Sequence, residues 1–162
     1  MSLQSWLHNR RGEWYVVAQI ALIAVLLFAP RLDGRMRNPS SAWPGFTLVI
    51  GGVFLAIGAG IAILGSVALG RNLSPYPKPK ENTRLVESGI YSIVRHPIYS
   101  GIILFSLGWG LVWSSLAALI AATVLFWFFD LKSRREERWL ETKFSNYASY
   151  KKSVKKLIPF IY

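Results

Sequence analysis

Arg95, His96, Tyr91 and Tyr99 fall inside one segment, Gly89-Ile90-Tyr91-Ser92-Ile93-Val94-Arg95-His96-Pro97-Ile98-Tyr99-Ser100-Gly101. This polar cluster stands at the start of a long apolar run, Ile98 to Phe129. Proline at the first helical position is preorganised for the helix and loses nothing by lacking an N–H. Arg95 and His96 are thereby placed where a membrane helix begins, at the boundary of water and lipid. Polar groups fixed at such a boundary suggest a site for an amphiphilic substrate, with Arg95 and His96 as its candidate catalytic residues. A second acidic cluster, Glu136-Glu137, follows the apolar run. If the helix continues past Phe129, Glu136, Leu140, Phe144 and Tyr147 share one stripe by the i, i+4, i+7 rule. Glu136 then lies on the more buried face, and Glu137 aligns with Glu141 on a more solvated one. Plainer roles also exist. Arg95 can mark a helix start, His96 can be structural, the tyrosines can be interfacial anchors, and Lys132 can pair with Glu136 at i, i+4.

The elements that position these residues are apolar helices. The chain has 162 residues, is 52% hydrophobic, and yet carries a formal charge of +11. That combination conflicts with a soluble domain and agrees with a membrane protein with basic edges. No cysteine is present, which removes disulfides and thiolate chemistry. His8 and His96 are too far apart in sequence to suggest a histidine metal site, and no metal is expected. Four spans are read: Trp14 to Ala29, ending at Pro30; Phe46 to Leu69; and two from Ile98 to Phe129, divided near Ser114-Ser115. Each half of the last run has about 15 residues, short of the ~20 of a full span, so the pair reads as a tight hairpin whose second helix continues into water. The fold class is an all-α integral membrane protein in a single domain. Two N-terminal spans occupy 1–70, a loop 71–97, and the hairpin, helical extension and basic tail 98–162. Arg10, Arg11 and Glu13 precede the first apolar run and no small-residue cleavage site closes it, so a signal peptide is not expected.

Charge sets the expected orientation. With four spans, sixteen of the nineteen basic residues fall on the side of the two termini and the middle loop, leaving Arg31, Arg35 and Arg37 opposite. The positive-inside rule then makes both termini cytoplasmic, and a prokaryotic inner membrane suits the composition. A three-span arrangement loses the asymmetry. The basic residues flank apolar spans, so nucleic acid is not an expected partner. Lys151-Lys152 and Lys155-Lys156, with Leu157, Phe160 and Tyr162, read as an interfacial segment on an anionic membrane face. In the second span, Gly52, Ala56, Gly60 and Gly58, Ala62, Ser66, Gly70 form small-residue ridges, which allow close helix packing within the chain or between copies. Between Arg71 and Val94, Pro75, Pro77 and Pro79 favour extended backbone, and Gly89 can supply a turn.

These motifs resemble the isoprenylcysteine carboxyl methyltransferase and phospholipid methyltransferase family of integral membrane enzymes. The resemblance rests on Gly89 to Tyr91, Arg95 to Gly101, Glu136-Glu137-Arg138-Trp139-Leu140 and the closing segment from Tyr150 to Ile161. It implies S-adenosylmethionine as methyl donor and a lipophilic acceptor: a phospholipid amine, an isoprenoid-linked carboxylate or a small apolar compound. By position, it implies backbone and apolar contacts to the donor from Leu85, Val86 and Gly89. Tyr91, His96 and Tyr99 would line its pocket, Glu136 and Glu137 would hold its polar groups, and Arg95 would orient an anionic acceptor or support the pocket. Phe144-Ser145-Asn146-Tyr147 and Ser153 differ from the family pattern, so the donor is specified better than the acceptor. A non-catalytic membrane module retaining the fold is the rival expectation. A transporter is disfavoured because no charge lies within a span.

Overall fold

The computed structural model describes residues 11–34, 45–79 and 81–162. His8, Arg10, Arg35, Arg37 and Lys80, used above for metal chemistry and charge asymmetry, lie outside the described residues. Among the described residues, five α-helices follow in order: α1 (Glu13–Leu32), α2 (Gly45–Leu69), α3 (Pro97–Val112), α4 (Leu116–Lys143) and α5 (Tyr147–Ser153). Helix α1, α2 with its 3-10 continuation to Asn72, and α4 are long and apolar enough to cross a membrane, while α3 is apolar but shorter.

Helix α3 nevertheless reaches the level at which α1 ends. The turn after it places Ser115, whose hydroxyl donates to Asp33 Oδ2 at 2.6 Å just beyond α1. Ser115 also caps α4 by accepting from the Ala118 N–H at 3.0 Å, which satisfies a donor the first helical turn leaves free. Ser114 takes a positive φ of 48° to make the reversal. The apolar run from Ile98 to Phe129 is therefore a hairpin, and α4 runs on past Phe129 to Lys143.

Two helix pairs make the bundle. Leu26 and Ala29 of α1 pack with Ala118, Ala121, Ala122, Leu125 and Phe129 of α4 in one buried cluster. Pro30 does not end α1, as the sequence reading expected. The helix continues to Leu32 with Pro30 buried inside it, since loss of one N–H in the final turn is tolerable. Helices α2 and α3 meet through glycine. A Cβ on Gly58 would stand 2.7 Å from the Gly101 carbonyl oxygen and 2.5 Å from the Phe105 nitrogen. Gly51 and Gly108 oppose one another in the same way. The seam is thus Gly51, Gly58 and Gly65 against Gly101 and Gly108. Of the two expected ridges, the one through Gly58 and Ala62 meets α3 at this seam, while the one through Gly52, Ala56 and Gly60 does not. Gly52 and Gly60 face open space. Spacing by seven keeps one face toward a partner helix in a left-handed crossing, which is why the observed register wins.

Outer faces are apolar. On α4, Leu116, Ile120, Val124, Trp127 and Leu131 are exposed, a stripe at helical spacing that belongs against lipid rather than water. The chain is a multi-pass membrane protein.

Candidate active site

The helix ends converge on one cavity of about 330 Å³. Gln19 of α1, Leu69 at the end of α2, His96 at the start of α3 and Lys132 of α4 all line it. Its remaining wall comes from the loop between α2 and α3, through Asn72, Pro75, Thr83, Leu85 and Val86, and from Tyr147 and Tyr150 of α5. The alternating prolines keep the loop out of helix, as expected, and let it lie across the bundle end.

His96 is the residue before α3, and its backbone is held from outside the helix. Val94 and Lys155 form a parallel bridge. The Arg95 and His96 N–H groups donate to the Lys155 and Lys156 carbonyls at 2.8 and 3.1 Å. The His96 ring is buried, with Nε2 3.1 Å from Glu137 Oε1 and Nδ1 3.8 Å from Glu136 Oε2. It stacks on Tyr99 with ring centroids 5.3 Å apart and an interplanar angle of 2°. Tyr99 stacks in turn on Phe129 and donates its hydroxyl to Glu136 Oε2 at 2.8 Å. Glu136 Oε1 carries no hydrogen bond among the described residues.

Arg95 is bound more completely than a ligand-seeking cation would be. Its Nε and Nη2 reach Glu137 Oε1 at 2.9 and 2.8 Å, and Nη1 donates to the carbonyls of Lys151 and Val154. Four of the five donors of a guanidinium are taken by the protein itself.

The two glutamates divide differently from the sequence reading. Glu137, expected on the solvated face, has its side chain 4% exposed, against 27% for Glu136. The reason lies in α5 and the tail, which cover the Glu137 side of α4 and bring Lys151 Nζ to 3.5 Å of Glu137 Oε2. Glu136, Leu140 and Tyr147 of the expected stripe do line the cavity. Glu137 is not among the lining residues.

Of the other sequence-derived positions, Leu85, Val86, Tyr91, Arg95, His96 and Tyr99 border the cavity. Gly89 does not; it opens a 3-10 turn with φ of 63°, a conformation that favours glycine. That turn buries Tyr91, which donates to the Gly65 carbonyl at 3.3 Å and whose own carbonyl accepts from Tyr150 at 2.6 Å. Burial pushes the Tyr91, Tyr147 and Tyr150 hydroxyls well above the ordinary tyrosine range, so all three stay protonated at neutral pH.

Sequence reasoning passed over Gln19 and, as a cavity residue, Lys132. Lys132 is buried, and its Nζ donates to Gln19 Oε1 at 2.5 Å and to the Pro75 carbonyl at 3.1 Å. The expected pairing with Glu136 gives way to these neutral partners. Gln19 is the lone polar residue in an apolar span, a signal that was readable. The tail also departs from expectation. Lys156 does not face a membrane surface; it is buried against Asp130, which also accepts from the Tyr162 hydroxyl at 2.8 Å.

A family model described as phospholipid methyltransferase matches residues 46–147, which include the seam, the loop, the polar cluster and both glutamates. The chain belongs to the phospholipid methyltransferase family. A protein-S-isoprenylcysteine O-methyltransferase B of Arabidopsis thaliana is 31% identical over 90% of this chain and 72% of its own length. The protein-S-isoprenylcysteine O-methyltransferase of Schizosaccharomyces pombe is 27% identical over 99% of the chain and 73% of its own. The cobalt-zinc-cadmium resistance protein CzcN of Cupriavidus metallidurans is 29% identical over 93% of the chain; the chain spans 64% of that relative's length. Family membership makes this protein a membrane methyltransferase for lipophilic acceptors, and its candidate active site is the cavity at the helix ends.

Proposed function

We propose that this methyltransferase uses S-adenosylmethionine to methylate the carboxylate of a lipophilic acceptor at the cytoplasmic face of its membrane, a prokaryotic inner membrane. The distribution of basic residues along the sequence supports placing both termini on that side. The observation that carries the acceptor class is Lys132. Its ammonium is buried on the cavity wall, its hydrogen-bond partners are neutral, and no ion pair joins it among the described residues. The Glu136 carboxylate on the same wall acts on it from a distance without a direct ion pair. A buried charge so incompletely paired is costly, and an anionic group entering the cavity supplies a direct partner. A protonated amine would meet repulsion at the same place. Arg95, already held by Glu137 and two carbonyls, positions the site instead of receiving the acceptor.

The donor fits the remaining wall. The cavity lies within the roughly 300–1,000 Å³ range of ligand sites. It pairs an apolar edge, Leu85 and Val86, with a carboxylate whose Oε1 is free to accept from a hydroxyl or ammonium. Tyr91, His96, Tyr99 and Glu136 would complete the donor's surround. Glu137 fixes Arg95 and His96, and Gly89 makes the turn that seats Tyr91. Bound there, S-adenosylmethionine supplies an electrophilic methyl group on a sulfonium.

The chain's own contribution is positioning and exclusion of water. Alignment of nucleophile and electrophile supplies most of the acceleration in such a transfer. Tyr99 fixes Glu136 by its hydrogen bond and fixes His96 by stacking. Lys132 orients the acceptor carboxylate, which needs no base because it is already ionised. That suits a site whose imidazole stands between two glutamates.

Two measurements test the proposal together. Calorimetric titration of S-adenosylmethionine into detergent-purified protein should show saturable binding that His96→Ala and Glu136→Ala weaken. With a labelled donor and lipophilic acceptors, product should be base-labile methyl ester. Lys132→Met should raise the acceptor KM by about tenfold or more, the scale of one charged hydrogen bond, and leave donor affinity unchanged. Base-stable product from phospholipid amines alone would refute the carboxylate assignment, and absence of donor binding by folded protein in nanodiscs would refute the donor.

A further inference from the structure

Four buried polar side-chain atoms have no hydrogen-bond partner among the described residues: Thr83 Oγ1, Tyr147 OH, Trp109 Nε1 and Trp113 Nε1. The two indoles lie toward the far end of α3. Both hydroxyls belong to residues that border the candidate active-site cavity, from separate elements: Thr83 on the loop and Tyr147 on α5. Tyr147 is only 1% exposed, so its hydroxyl is not bathed in bulk solvent. Its neighbour on the same helix makes the contrast. Tyr150 is equally buried in character, but its hydroxyl donates to the Tyr91 carbonyl at 2.6 Å.

A buried hydroxyl with no partner forfeits its hydration and gains nothing in return, and native proteins keep few of them. Two such groups meeting at one cavity point to a ligand that completes them. We infer that Tyr147, assisted by Thr83, hydrogen-bonds the methyl donor and is a further binding residue of this site. This rests on the proposed function. The donor, rather than the acceptor, is assigned because of where the hydroxyls stand. Tyr147 belongs to the extramembrane helix α5, and Thr83 to the loop that also carries Leu85 and Val86. The acceptor-orienting Lys132 stands on α4, bonded to Gln19 of α1 within the bundle and to the Pro75 carbonyl near the start of that loop. A water-soluble ligand rich in hydroxyl, amino and carboxyl groups matches the first location, and an apolar-tailed ligand the second. Burial keeps the Tyr147 phenol protonated, so it remains available as a donor.

Tyr147→Phe removes the hydroxyl and retains the ring, which packs edge-on to Tyr150 with centroids 5.8 Å apart. The prediction has two opposed parts. Calorimetry with S-adenosylmethionine should give a Kd raised about tenfold, equivalent to ~1.4 kcal/mol. The melting temperature of the ligand-free protein should stay the same or rise, because the change deletes an unpartnered polar group. Thr83→Val should act in the same direction and serves as the second variant. Unchanged Kd in both variants, with wild type binding normally, overturns the inference and leaves the proposed function standing. A lower melting temperature in the ligand-free Tyr147→Phe protein shows a structural hydroxyl and overturns it as well. Failure of the wild type to bind S-adenosylmethionine overturns the proposed function and this inference together.

Discussion

Glu137→Ala is expected to destabilise this protein far more than Glu136→Ala, although the two residues are adjacent on α4. Glu137 accepts from Arg95 Nε at 2.9 Å, Arg95 Nη2 at 2.8 Å and His96 Nε2 at 3.1 Å, and both partners are buried. Removing the carboxylate strands a buried guanidinium, and breaking one side of a buried pair costs about 3–5 kcal/mol. At roughly 2–4 °C per kcal/mol for a chain of this size, the melting temperature should fall by about 6–20 °C. Glu136 makes one hydrogen bond, from Tyr99, and is partly exposed, so Glu136→Ala should cost about 1 kcal/mol of stability while weakening donor binding. Tryptophan fluorescence melts of ligand-free protein in detergent read the first effect, and calorimetry the second. A double variant, Arg95→Met with Glu137→Leu, should recover much of the loss, because replacing both members of a buried pair by apolar groups is often neutral or better. Equal melting temperatures for the two glutamate variants would refute the division of roles, as would a double variant no more stable than Glu137→Ala.

Two further predictions concern the scaffold. Gly58→Ala should sharply lower the yield of folded protein, since its Cβ would press on α3 backbone atoms at 2.5 and 2.7 Å, an overpacking cost of about 1–3 kcal/mol. Gly60→Ala, with open space at that position, should be near neutral, both read by size-exclusion monodispersity and thermal melts. On alkaline titration, Tyr91, Tyr147 and Tyr150 should keep their protons beyond the pH at which free tyrosine ionises, because burial raises them. Unfolded tyrosine loses its proton at pH ~10. Above that, the unfolded chain binds fewer protons than the folded one and stability declines with rising pH. Phenolate absorbance should therefore show at least three of the seven tyrosines appearing only with unfolding; complete titration of a folded protein would refute the burial.

Much of the fold was legible because membrane spans announce themselves in one dimension. The apolar runs gave α1, α2 and the hairpin, and Ser114-Ser115 marked the reversal because a capping hydroxyl and an irregular backbone had to interrupt the run somewhere. The register of the α2–α3 seam was legible only in part, through the ridge that holds Gly58 and Ala62. Helix α2 is so rich in glycine and alanine that small-residue spacings occur on several faces, and only the partner helix selects Gly51, Gly58 and Gly65. Pro30 misled because proline in the final turn removes a bond the helix can do without. At the candidate site, the polar cluster and Glu136 were visible as motifs. Gln19 and Lys132 come from separate helices and acquire meaning only when α1 and α4 pack.

The burial of Glu137 follows from the same limit and carries the larger lesson about this site. Adjacent residues on a helix point about 100° apart, so one of the pair faces the cavity and the other must face whatever lies beside it. Periodicity within α4 cannot reveal that α5 and the tail lie there. Those segments do more than cover Glu137. Carbonyls of Lys151 and Val154 hold the Arg95 side chain, and carbonyls of Lys155 and Lys156 hold the backbone N–H groups of Arg95 and His96. The Ser100 hydroxyl adds a bond to the Leu157 carbonyl at 2.6 Å. The tail in turn is fastened to α4 where Asp130 receives Lys156 and Tyr162. A segment that looks from sequence like a basic membrane anchor is therefore a brace behind the candidate active site, acting largely through backbone carbonyls. Main-chain acceptors impose little on residue type, which explains why the residues of the closing segment do not themselves reveal that it orders the polar cluster.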